Sequence, residues 1–281
     1  MIPVHTEIEQ ILATAELRED EYLDSNGLIC CKGCHTPRQK RIQVGNRTIE
    51  PRCMCACQND AYEKLLQDQK HREFLDMVER NRSVGLPDPG IRKHTFRNDL
   101  GYNASQIAMA KQYVDHWEEF QKTSTGLLFW GDVGTGKSFI AGCIANALLD
   151  KGVPVLMTNF ARLLNKLTDL YSGDRNVYID SFNRYPLLII DDLGIERNSE
   201  FAREQVFSVI DSRYRSEKPM IITTNLKLDA LDHPEDLARA RIYNRVLERC
   251  IPIRVTEQNI RELNMAANLD KAKQLLKGEP A

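Results

Sequence analysis

The chain has 281 residues, more than the ~100–200 that one domain usually needs, so one large domain with a smaller appendage is the natural expectation. Its 38 basic and 40 acidic side chains leave a net charge of −2, which excludes a whole-molecule attraction to nucleic acid or to an anionic membrane. No apolar stretch of ~18 residues occurs, and the start MIPVHTEIEQ lacks a basic segment followed by an apolar one, so no membrane association and a cytoplasmic location are expected.

In chain order, Thr6 and Glu9 stand at capping-box spacing, and Ile8, Ile11, Leu12 and Ala15 share a helical face, which predicts a short acidic helix over 6–24. Charge then switches. Residues 1–29 hold seven acids and one base, whereas 30–57 hold six bases and one acid. Six of the eight cysteines lie within 30–57, a usage that in a reducing compartment points to metal or redox chemistry rather than disulfides. Cys31 and Cys34 form a CxxC pair, and Cys53, Cys55 and Cys57 form CxCxC after a turn-rich loop. Two such pairs suit a tetrahedral Zn2+ site, with Cys31, Cys34, Cys53 and Cys55 the favoured ligands and Cys57, Cys30 and His35 as substitutes. An iron–sulfur cluster or a redox dithiol is the alternative. So short a segment cannot build its own apolar core, and bound metal would supply the folding energy. The loop carries Arg38, Lys40, Arg41, Arg47 and Arg52 but no aromatic ring on which a base could stack, which favours protein docking over direct DNA contact.

A second helix is predicted over about 58–82, with Leu65, Leu66, Phe74, Leu75 and Val78 as its apolar positions. The run VGLPDPGIRKHTF breaks it, giving a helical and cysteine-rich region at 1–83 and a linker at 84–102. From 103 to 281 helical patterns alternate with the unalternating apolar runs LLFW, VPVLM, PLLIID, PMIITT and IPIRV. Buried strands separated by helices define an α/β fold with a parallel sheet covered on both faces.

The first of those strands runs into GDVGTGKS, residues 131–138, the P-loop pattern. Gly131, Gly134, Thr135 and Gly136 let backbone N–H groups close round phosphate oxygens, and the following helix adds its positive end. Lys137 would neutralise the terminal phosphates of ATP, and Ser138 would ligate Mg2+. The stretch LLIIDDLG ends a strand in two adjacent carboxylates. Asp191 fits the acid that holds Mg2+, and Asp192 fits the general base for the attacking water, with a turn cap as the plain alternative. Asn225, at the tip of IITT, fits a water-orienting sensor or an ordinary strand-ending turn. Arg241, Arg245 and Arg249 share one face of a helix, either a solvated surface or an arginine finger for a neighbouring subunit.

Together GDVGTGKS, LLIIDDLG, TTN and RIYNRVLE resemble the DnaC/IstB-like AAA+ ATPases over about 84–260, a family of bacterial and phage helicase loaders and transposition helpers. The resemblance implies an AAA+ P-loop NTPase core with ATP hydrolysis. It puts Asp192 at the catalytic acid position, Asn225 at the first sensor, Arg245 at the finger and Arg241 as an accessory contact. It implies self-association through the ATPase domain, and loading of a replicative DNA helicase hexamer onto single-stranded DNA by a phage or prophage protein. A transposition helper is the second reading, and a zinc-dependent regulator using ATP only as a ligand is the third. Arg162, Lys166 and Arg175 are the expected DNA contacts. Only one helical stretch, about 257–277, follows the last strand, which leaves the second sensor unassigned.

Overall fold

A computed structural model describes residues 17–194, 199–234, 236–255 and 259–276. The chain forms two compact units, 1–75 and 76–281, with the boundary inside one helix.

The first unit is built on two short antiparallel hairpins, β1 (Glu21–Leu23) with β2 (Ile29–Cys31) and β3 (Ile42–Val44) with β4 (Arg47–Ile49). The predicted helix over 6–24 is therefore corrected at its end, because 21–23 pair as a strand; residues 6–16 lie outside the described residues. The reason is electrostatic. Glu21 is buried, accepts from the Arg18 N–H at 3.0 Å, and receives Arg38 and Arg52 at 3.1 and 2.7 Å. β1 presents Glu21 to both guanidiniums. Helix α1 (Ala56–Gly85) follows. Its expected apolar stripe is not covered: Leu65, Leu66, Phe74 and Leu75 are exposed, and Val78 and Gly85 are the buried residues.

The second unit carries a parallel five-stranded sheet. Its strands are β5 (Gly126–Trp130), β6 (Val155–Asn159), β7 (Leu187–Leu193), β8 (Met220–Thr224) and β9 (Cys250–Arg254), in the order β6-β7-β8-β5-β9. Its helices are α2 (Ala104–Asp115), α3 (Trp117–Lys122), α4 (Lys137–Asp150), α5 (Phe160–Asp169), α6 (Ser172–Ser181), α7 (Glu200–Arg215), α8 (Leu228–Asp232), α9 (Leu237–Arg249) and α10 (Ile260–Leu276).

Strand side chains alternate between two cores, as the pleat requires. Leu127, Phe129, Ile189 and Ile221 meet Tyr113 of α2 and Ile140 and Ile144 of α4. Leu128, Leu188, Ile190 and Ile222 meet α5, α7 and α9 through Leu163, Ile210 and Val246. Covering both faces explains why these strands read as continuous apolar runs.

Residues 84–102, read above as a linker, are packed in this unit. Leu86 is fully buried, the 3-10 turn Ile91–Lys93 lies along α4, and in the next turn, Phe96–Asn98, the Phe96 ring lies beneath Lys111 of α2. Asn146 of α4 donates to the carbonyls of Ile91 and His94, both at 2.9 Å. Among the described residues no helix is long and apolar enough to cross a membrane.

Candidate functional site

The strand order places β5 and β7 with only β8 between them, and both point their C-terminal ends at one cleft of ≈ 950 Å³. After β5 the chain turns through Gly131, Gly134 and Gly136, all at positive φ (141°, 81° and 99°). A side chain at Gly136 would meet Asn103 at 3.0 Å and Ile260 at 3.1 Å, so this turn requires glycine twice over. Lys137 folds back over the loop, donating to the carbonyls of Gly131 (2.9 Å) and Asp132 (2.6 Å). Burial lowers its pKa, against the pull of Asp192 and Asp191. Asn103 braces the loop from outside by donating to the Thr135 carbonyl at 2.9 Å.

The adjacent acids sit on a β-bulge. Ile190 pairs with Ile222, but the next pairing is Leu193 with Thr224, so the bulged strand carries an extra residue there. Asp192 takes φ 63°, an uncommon left-handed conformation for a residue with a side chain. Two buried threonines of β8 knit the irregularity. The Thr223 hydroxyl accepts from the Asp192 N–H at 2.9 Å and donates to Asp191 Oδ1, and the Thr224 hydroxyl donates to the Leu193 carbonyl at 2.7 Å. The bulge spares both carboxylates from opposite faces of the sheet. Asp191 accepts from Ser138 Oγ at 2.8 Å, while Asp192 faces the cleft. Burial and then the Asp191 charge raise the pKa of Asp192, with Lys137 opposing.

The structure thus gathers Gly134, Gly136, Lys137, Ser138, Asp192 and Asn225 on one cleft, with Asp191 bonded to Ser138. Arg245 is not among the lining residues; it packs on α7. Sequence reasoning missed the other wall. His94, Asn98 and Tyr102 come from the packed 84–102 segment, and Arg261 comes from the first turn of α10, whose N–H reaches the Gly134 carbonyl at 3.4 Å. His94 lies 5.2 Å from the Phe139 ring and so close to α4 that only glycine fits at 142. Nothing periodic marks a 3-10 segment, although the one base at the start of the last helix was a usable signal for Arg261.

In the first unit four thiols, Cys31, Cys34, Cys55 and Cys57, have sulfurs within 4.8 Å of one another. This corrects the favoured set by replacing Cys53 with Cys57. The Cys53 sulfur is turned towards the Pro37 carbonyl at 3.7 Å, whereas Cys55 and Cys57 flank the start of α1 and come to 3.3 Å. Buried Arg38 aims Nε at Cys55 and Nη2 at Cys31, both at 3.4 Å, which sets a cation beside two of the four sulfurs. The Thr36 hydroxyl lowers the Cys34 pKa to about 5, and contact with Cys55 pushes Cys57 up to about 12. Four converging thiols suit a thiophilic cation. Of the loop bases, Arg38 and Arg52 are committed to Glu21 and Arg41 to Glu50. Arg175, one of the expected DNA contacts, donates to the Leu167 carbonyl and lies 5.0 Å over Phe201.

A P-loop at the end of the first sheet strand, an acidic bulge two strands away and helices on both faces define an AAA+ P-loop ATPase fold. The chain matches the IstB-like ATP binding protein family over residues 52–267 and belongs to it. It is 27% identical over 139 residues to the replicative helicase loader DnaC of Escherichia coli K12, covering 48% of this chain and 56% of that protein. To the replicative helicase loader DnaI of Bacillus subtilis 168 it is 28% identical over 183 residues, 59% of this chain and 58% of that one. The chain thus spans little more than half the length of these relatives. A crystal structure of DnaI aligns with TM-score 0.50 and 26% identity, covering 60% of this chain and 94% of that one.

Proposed function

We propose that this protein is an ATP-dependent loader that places a hexameric replicative helicase on single-stranded DNA. The observation that carries the reading is the Ser138–Asp191 hydrogen bond beside Asp192 on the bulge, in a chain similar to two proteins named as helicase loaders. ATP binds with its phosphates in the turn of Gly131, Gly134, Thr135 and Gly136, and Lys137 swings from its carbonyls onto them. Ser138 and Asp191 would hold Mg2+, which would screen the phosphate charge when bound.

Asp192 takes the proton of the attacking water, a role its raised pKa suits because a stronger base accepts a proton more readily. Asn225 orients that water. Arg245 lies outside its own chain's cleft, which supports a finger acting on the γ-phosphate of a neighbouring copy, so hydrolysis requires self-association. Arg241, exposed one turn earlier, is the accessory contact. Cys31, Cys34, Cys55 and Cys57 would hold Zn2+, which would tie the first unit together when bound, and that unit grips the helicase. With Arg38, Arg41 and Arg52 committed internally, protein docking suits that unit better than DNA.

Native mass spectrometry of the protein with its host's helicase, with and without Mg·ATP, tests the reading. A nucleotide-sensitive complex with the hexamer, lost on removing residues 1–82, is the expected result. The family's description as IstB-like favours one alternative, a transposition helper. Assembly on DNA in ATP with no helicase complex would establish it instead.

A further inference from the structure

The guanidinium of Arg245 is held at four points before any neighbour arrives. Its plane lies 4.8 Å over the Phe207 ring and 5.7 Å from Tyr214, both on α7. Nη1 donates to the Arg241 carbonyl one turn back at 2.9 Å. Nε stands 2.8 Å from Asp211 Oδ1, and the Asp211 side chain is only 12% exposed. The last contact is charge to charge, because the buried Nε–H and Oδ1 are not aligned as a hydrogen bond. Asp211 Oδ2 is meanwhile 2.9 Å from Nε of Arg215, whose side chain is 75% exposed.

We propose that Asp211 is a positioning residue for Arg245, setting the guanidinium so that its Nη edge is presented to the γ-phosphate of an adjacent copy. The inference rests on the reading of Arg245 as a finger. An unrestrained arginine loses rotamer entropy when it engages phosphate, and a carboxylate at Nε with a ring beneath removes much of that loss beforehand. Adhesion between α7 and α9 does not need the ion pair, since Val206, Ile210, Ile242 and Val246 already join them in one apolar core. The carboxylate therefore adds orientation. A positioned donor that acts on developing charge alters kcat and leaves ground-state ATP binding alone.

The experiment compares Asp211→Asn, Arg245→Ala and Asp192→Asn, singly and mixed, at concentrations where the wild-type rate per subunit has levelled. Asp211→Asn should lower kcat by ~10–100-fold, the usual effect of losing a group that orients a functional side chain, with KM for ATP unchanged. An equimolar mixture of Asp211→Asn with Asp192→Asn should regain at least severalfold over Asp211→Asn alone. The second variant has no working base but supplies a sound Arg245 to the intact site of the first.

A loss of kcat without regain on mixing would make Asp211 structural and overturn the proposal. Wild-type kcat in Asp211→Asn, with Arg245→Ala impaired, would overturn the proposal and leave the finger standing. Wild-type kcat in Arg245→Ala would overturn the finger itself.

Discussion

Cys57→Ser and Cys53→Ser should part company, although sequence spacing treats the two positions alike. Structural zinc supplies ~10–16 kcal/mol of apparent binding energy in small cysteine sites, so one of four thiolates carries ~2.5–4 kcal/mol. At ~1.4 kcal/mol per factor of ten, that is ~10²–10³ in affinity. Cys57 is exposed, so water or the new serine hydroxyl can fill its place and draw the loss towards ~10². Cys53 stands outside the four-thiol cluster with its sulfur on the Pro37 carbonyl, so its replacement should leave affinity within about twofold, below the effect of any ligand change. Competition against a chromophoric chelator at neutral pH reads both numbers. Equal losses in the two variants, or none in Cys57→Ser, would refute the cluster and the tetrahedral site drawn from it.

Asp192→Asn should abolish ATP hydrolysis yet raise the melting temperature of the nucleotide-free protein. The raised carboxyl pKa means that the native state binds more protons than the unfolded one, so this group costs stability as pH rises past its unfolded value. By the same sign, kcat of the wild type should fall on acidification at a pH above that of an ordinary aspartate, as a pH–rate profile will show. Gly142→Ala should raise KM for ATP in steady-state assays, because the new Cβ would meet His94 at 2.7 Å and displace that residue from the wall of the cleft. Arg213→Met should lower stability by about 3–5 kcal/mol in urea titration. That guanidinium is buried and donates to the carbonyls of Tyr185, Pro186 and Pro219, which the thioether would leave unpaired.

The sheet was legible because a strand buried on both faces has no room for polar alternation, and the P-loop was legible because its glycines answer a backbone demand that no other residue meets. Asp191 and Asp192 could be picked out as a pair. That a bulge is what lets both serve one cleft could not, since the threonines that stabilise it belong to another strand and read only as β-formers. The thiol choice was ambiguous for a related reason: CxCxC offers equal spacings, and the direction in which α1 starts decides between them. The exposed Leu65, Leu66 and Leu75 show the limit of periodicity, which reports that a face is apolar without saying what covers it. His94 and its neighbours escaped notice because short 3-10 turns carry no period at all.

Helix α4 ties two parts of the cleft together. Its first turn carries Lys137 and Ser138, while Gly142 and Asn146 further along seat the segment that brings His94 back to the same cleft. Positions 138 and 146 are about 12 Å apart along the axis at ~1.5 Å per residue, and a buried helix does not stretch. The P-loop turn and the 84–102 segment are therefore held in one register by the backbone of a single helix, and any shift of α4 carries both sides of the cleft together.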